Sequence, residues 1–214
     1  DVGNADGEDE LDAPDPRPAA IPADEPVALT EDVRDEVAAS NGLAAYDPAS
    51  LDFAPDPNAT PTATLAEYLL TVVGEEGPVV AERAYQLINA AAGNKRMGHV
   101  IRAAMQQAAD HLVTTGRLVS DDPLGDGPLL ATLRLPEQPT VDLRHIGPRP
   151  FHHIPPREIA AMLQSERQRT DLLGVNLYRR VHHLYGHSRM REGSVPRYEA
   201  CERLLPVATN EDPT

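Results

Sequence analysis

Between Arg179 and Arg191 the chain places Arg179, Arg180, His182, His183, His187, Arg189 and Arg191 within thirteen residues. Guanidinium and imidazole groups at that density suit a polyanion: Arg offers a rigid fork of donors that matches phosphate oxygens, and His adds donors whose charge follows pH. At helical spacing Arg179, His182 and His183 fall opposite Val181 and Leu184, so a positive stripe would back a buried one. A second group stands about ninety residues earlier, with Lys95 and Arg96 at a turn and His99, Arg102 and Gln106 on the outward side of the helix that follows. Such a helix fits the major groove, its N-terminal residues reach base edges, and cations at the preceding turn stand at phosphate height. The candidate nucleic-acid-binding residues are therefore Lys95, Arg96, His99, Arg102, Gln106, Arg179, Arg180, His183, His187 and Arg189. Against this reading, Asp110 shares the first face, and Asp121, Asp122 and Asp126 fill a loop that would repel phosphates.

Other chemistries find less material. His182 and His187 flank a helix end and His152-His153 could approach them, but without a Cys or an Asp/Glu partner at ligand spacing no metal site and no cofactor is assigned. Cys201 is the only cysteine, which excludes an internal disulfide, and its place on a core helix face predicts a buried structural thiol rather than a nucleophile. A Gly-x-x-x-x-Gly-Lys-Ser/Thr phosphate loop is missing from the sequence, so ATP hydrolysis is not expected here. The chain reads as non-catalytic.

The elements that position these groups are announced by a repeat. Ala84-Tyr85-Gln86-Leu87-Ile88 running into Gly93-Asn94-Lys95-Arg96-Met97 is echoed by Leu177-Tyr178-Arg179-Arg180-Val181 running into Gly186-His187-Ser188-Arg189-Met190. At the same 93-residue offset Leu69 falls on Met162, Met105 on Tyr198, Ala108 on Cys201 and Leu112 on Leu205. Self-similarity at a fixed offset marks repeated supersecondary units. In the first copy Thr64-Leu65-Ala66-Glu67 reads as a capping box, Pro78 opens a second helix with Ala84, Leu87, Ile88 and Ala91 inward, and Gly93 ends it. A third helix from about Met97 to Thr115 precedes two strands, Arg117 to Ser120 and Leu129 to Leu135, joined by the acidic loop. Three helices and a β-hairpin predict a winged helix. The second copy has Pro155-Pro156 at a helix start, Asn176 as a cap and a last helix from about Pro196 to Leu205, with no room for a hairpin. Tyr85 and Tyr178 are expected to pack; Arg96 and Arg189 are expected to bond helix-end carbonyls while Met97 and Met190 plug the core. The expected fold is mainly α with a small β-hairpin, as tandem winged-helix or helix-turn-helix modules of which the second is wingless or truncated.

The flanks differ in composition. Residues 1–60 carry sixteen Asp or Glu against Arg17 and Arg34, so the net charge of -15 belongs to them and the rest is almost neutral. That acidic, Pro-rich stretch predicts a disordered linker, with a transient helix around Glu31 to Ala39. The expected organisation is linker 1–60, module 61–136, Pro-rich connector 137–153, second module 154–206 and a polar tail 207–214. Within Leu143 to Arg203 eleven Arg face six acids, which permits a polyanionic partner. No apolar run approaches the ~18 residues of a membrane span and no signal peptide is evident, so a cytoplasmic location and no membrane contact are expected. The start at Asp1 suggests an excerpt from a longer protein.

Three passages, Glu76-Gly77-Pro78-Val79, Gly93-Asn94-Lys95-Arg96-Met97-Gly98-His99-Val100-Ile101 and Ile154-Pro155-Pro156-Arg157-Glu158-Ile159, resemble the domain of unknown function at the C-terminus of very large bacterial superfamily 1 helicases. The resemblance covers roughly Leu65 to Leu205. It implies an accessory module downstream of a helicase motor and a restriction-endonuclease-like nuclease domain, acting on DNA or RNA in defence or repair, and it supplies no catalytic residue. The expected function is thus accessory nucleic-acid binding, with DNA or RNA and the upstream helicase and nuclease domains as partners. The rival expectation is a protein–protein docking module of the same fold, which the acidic hairpin loop favours.

Overall fold

A computed structural model describes residues 43–206. The expected helix at Glu31 to Ala39 and the tail at 207–214 lie outside them. Six α-helices and a small antiparallel sheet appear in the order α1 (Thr62–Glu76), β1 (Val79–Val80), α2 (Ala81–Ala91), α3 (His99–Thr114), β2 (Val119–Asp121), β3 (Thr132–Arg134), α4 (Pro156–Arg169), α5 (Gly174–Leu184) and α6 (Val195–Glu202). Short 3-10 turns at Phe151–His153 and Glu192–Ser194 lead into α4 and α6.

Two apolar cores follow the periodicity of the sequence. Leu65, Leu69, Val72 and Val73 of α1 close against Ala84, Tyr85 and Ile88 of α2 and Ile101, Met105, Ala108 and Leu112 of α3. In the second unit Ile159, Met162 and Leu163 of α4 meet Leu177, Tyr178, Val181 and Leu184 of α5 and Tyr198 and Cys201 of α6. Each fully buried side chain of this size contributes about 1.5–3 kcal/mol. In both units the first and third helices pack against each other.

The 93-residue offset holds at atomic detail. Helix α2 moved by that offset covers the same residues as α5, and the turn that ends each has the same backbone bonds. Ala92 N–H donates to Ile88 O at 3.0 Å as Tyr185 does to Val181 O at 3.1 Å, and Gly93 N–H donates to Ala90 O at 2.9 Å as Gly186 does to His183 O at 2.8 Å. Asn94 N–H to Asn89 O and His187 N–H to His182 O, both 3.1 Å, complete the turn. Gly93 and Gly186 have φ of 78° and 88°, the left-handed region where a side chain is strained, which is why glycine stands at both places. Tyr85 and Tyr178 are both buried with their hydroxyls donating to the third helix of their own unit, at Gln106 Oε1 and Glu202 Oε2. The second unit has no counterpart of the strands among the described residues.

Several local expectations need correction. Helix α1 begins two residues ahead of Thr64 with Pro61 at its cap and no side-chain cap bond, so the capping box is not formed. Pro78 precedes a strand, not a helix: Val79 and Val80 pair with Leu133 and Thr132, giving the sheet order β1-β3-β2 instead of a two-stranded hairpin. The segment before β3 also caps α2, since Ala81 and Glu82 donate to Ala131 O and Leu129 O and thereby satisfy first-turn N–H groups. Helix α5 starts at Gly174, so Asn176 lies in its first turn and accepts from Arg179. Leu87 and Ala91 are only partly buried, Tyr85 taking the central place.

Residues 43–60, assigned to the linker by composition, are packed. Leu43, Ala49 and Ala54 are buried, and Ala44 bridges to Arg144 in parallel register. Tyr46 donates its hydroxyl to Glu76, which is itself wholly buried and also takes the Ala49 N–H at 2.9 Å and the Arg83 guanidinium at 3.0 Å. Arg149 lies over the Tyr46 ring, 4.2 Å from its centroid. A methyl group on Gly147 would come within 2.6 Å of that ring, so the connector can pass only as glycine. The connector holds both units: Arg144 donates to Glu76 O and Pro78 O, each at 2.7 Å, and Arg149 grips Glu158 of α4 with two bonds of 3.0 and 3.1 Å.

Candidate nucleic-acid interface

The structure sorts the ten candidate side chains by whether the fold already uses them. Gln106 is taken, its amide oxygen accepting from Tyr85 and its amide nitrogen donating to Asp110 at 2.8 Å. Arg180 forms an ion pair with buried Glu166 at 3.1 Å. His182, expected outward beside Arg179, is buried between the Tyr198 hydroxyl at 3.0 Å and Arg189 O at 3.2 Å, because its position copies Asn89, whose amide likewise spans the turn to Asn94 O. His99 is exposed but stands apart from the clefts described next.

The remaining candidates converge. Lys95, Arg96 and Arg102 line a cleft of about 520 Å³ with Gln86, Ala90 and Met97 at the α2–α3 turn, and the carboxylate of Glu82 lies on its wall. Arg179, His183, Ser188, Arg189 and Met190 line a cleft of about 320 Å³ at the α5–α6 turn. Every residue of the second cleft is the 93-residue counterpart of a residue in the first: Gln86 with Arg179, Ala90 with His183, Lys95 with Ser188, Arg96 with Arg189, Met97 with Met190. The two hollows thus arise from one backbone geometry with a cation kept at Arg96 and Arg189. Met97 and Met190 pack against the cores as expected. Their neighbours do not fulfil the expected role at helix ends: among the described residues neither the Arg96 nor the Arg189 guanidinium donates to a helix-end carbonyl or enters an ion pair, and both stand exposed at the cleft mouths.

Arg189 is also on the rim of a larger cavity, about 1050 Å³, lined by Phe151, His152, His182, His187, Arg191 and Arg197 among others. His187 stacks on His182 with ring centroids 4.3 Å apart, and burial lowers the proton affinity of both; His182 falls to about 4, with His187 as the second cause. Both rings are therefore neutral at pH 7, so the positive charge of this wall comes from arginine.

Two features escaped sequence reasoning. Among the described residues seven of the eleven Arg between Leu143 and Arg203 are in ion pairs, so the local surplus overstates the charge open to a ligand. The acidic loop is likewise engaged: Asp121 pairs with Arg157, Asp126 with Arg197, and Asp122 accepts the backbone N–H groups of Asp126 and Gly127. Asp121 and Asp126 thereby fasten the β2–β3 segment of the first unit to the second unit, while Asp122 braces the loop itself. Cys201 is buried as expected, and burial pushes its thiol up to about 12, which leaves it unreactive at neutral pH.

Among the described residues no helix is long and apolar enough to cross a membrane. No curated protein and no solved structure matches the chain. Residues 57–103, which span α1, β1, α2 and the start of α3, are similar to the family described as "Protein of unknown function (DUF3320)".

Proposed function

We propose that this chain is a non-catalytic accessory module that binds nucleic acid through the two repeated clefts, with the first unit a winged helix and the second a wingless helix-turn-helix. The single observation that carries the reading is the recurrence of one hollow with an exposed arginine at the same turn of both units, Arg96 and Arg189 being unclaimed by ion pairs among the described residues. A phosphate seated at each turn would meet a guanidinium from Arg96 or Arg189, assisted by Lys95 and Arg102 in one cleft and by Arg179 in the other. Engagement of Asp121 and Asp126 by Arg157 and Arg197 supports the reading, since it offsets two of the three loop charges that the sequence suggested would repel phosphate. In the parent protein the module would hold DNA or RNA for the upstream helicase and nuclease domains. A protein-docking role is favoured instead by Leu173 and Val175, exposed by 66% and 40% at the start of α5.

Fluorescence anisotropy with duplex and single-stranded oligonucleotides at two salt concentrations separates these readings. Binding that weakens with salt, and whose salt slope falls by about one for Arg189→Ala, supports the phosphate role. Binding absent at low salt, in the full chain and with residues 1–42 removed, refutes it and leaves docking.

A further inference from the structure

We propose that Glu82, His152 and His153 form a site for a divalent transition metal, best suited to zinc, that clamps the first helical unit to the connector. Glu82 stands in the first turn of α2, whereas the two histidines occupy the 3-10 turn that ends the connector. The fold brings one donor atom from each within 4.8 Å of the other two. His153 Nε2 lies 3.4 Å from Glu82 Oε2. That separation is long for a hydrogen bond involving a carboxylate. It is the donor-to-donor spacing that tetrahedral zinc requires, since bonds of about 2.0–2.2 Å place neighbouring ligands about 3.4 Å apart.

The state of the histidines fits the same role. His153 is 1% exposed, and among the described residues its Nδ1 has no partner, so one long contact at Nε2 is the ring's polar anchor there. A metal held at Nε2 would replace that single long contact with a strong bond. The His152 ring packs edge-on against that of His153, centroids 4.3 Å apart and planes at 68°, which keeps a donor nitrogen of each ring within 4.8 Å of the other. Two imidazoles and one carboxylate are a zinc-type set with a position left for water, whereas calcium and magnesium favour oxygen alone. The other histidine pair is unsuited: His182 and His187 lie face to face at 18°, so their lone pairs run parallel.

The test is calorimetric titration of metal-free full-length chain with Zn²⁺, repeated for Glu82→Gln, His152→Ala and His187→Ala, with circular dichroism to check folding. The expected result is one equivalent bound, weakened by about tenfold or more in Glu82→Gln and in His152→Ala and unchanged in His187→Ala, with the thermal midpoint raised by Zn²⁺ in the parent chain and not in Glu82→Gln. Binding that is absent, or that survives Glu82→Gln undiminished, overturns the proposal. Because His152 and Glu82 are both at the surface or partly so, neither change should unfold the chain; if one does, the other decides alone.

Discussion

Replacing His182 with asparagine should make the protein less sensitive to acid. The first unit carries Asn89 at the equivalent position, where its amide donates across the turn to Asn94 O, so the second turn should accept the same side chain. His182 has its folded pKa lowered from 6.5 to about 4, first by burial and then by neighbouring His187. A lowered value means that the unfolded chain takes up more protons than the folded one between those limits, so the stability from neutral His182 is present above about pH 6.5 and is lost as pH falls toward 4. A tenfold difference in proton affinity between the folded and unfolded chain is worth about 1.4 kcal/mol, and integrating from pH 7 to pH 5 gives a loss of about 2 kcal/mol from this one residue. Urea unfolding of the parent chain and of His182→Asn at the two pH values measures the contribution of the His182–His187 pair, because protonation away from that pair cancels in the comparison. The variant should lose about 2 kcal/mol less than the parent. Equal losses in both would refute the placement of a neutral imidazole between Tyr198 and Arg189.

Arg149→Ala should cost about 3–5 kcal/mol in the same unfolding assay, since it leaves buried Glu158 with only Arg144 at 3.8 Å; a loss below about 1 kcal/mol would show the connector to be loosely held. Gly186→Ala should destabilise by about 1–2 kcal/mol through its positive φ, while a side chain there would meet no neighbour, so a neutral result would contradict the turn geometry. Cys201 should react with a thiol reagent only at the rate of unfolding, and rapid modification of the native chain would contradict its burial.

The helices and their cores were legible because an apolar stripe at helical spacing has one efficient burial, and the repeat showed that stripe twice. Gly93 and Gly186 could be located from sequence because the left-handed turn demands glycine whatever surrounds it. What escaped was set by contacts between distant segments. Val79-Val80 is too short to announce a strand, and it is one only because β3 lies alongside. Tyr46, Arg144 and Arg149 looked like linker and surface residues, yet they join Glu76 and Glu158 across the two units. The candidate interface was misjudged at His182, Arg180 and Gln106 for the same reason: helical spacing gives the side of a helix, not the partners waiting there. Glu82 escaped as a companion of His152 and His153 because 71 residues separate it from His153.

Amide chemical-shift mapping during titration with a short oligonucleotide tests the central claim, that one cation-lined turn was duplicated to hold phosphates, most directly. The account predicts the largest changes in two stretches, Gly93 to Met97 and Gly186 to Met190, moving together and both reduced by salt. Changes confined to Leu173 and Val175, or none in either turn, would contradict it.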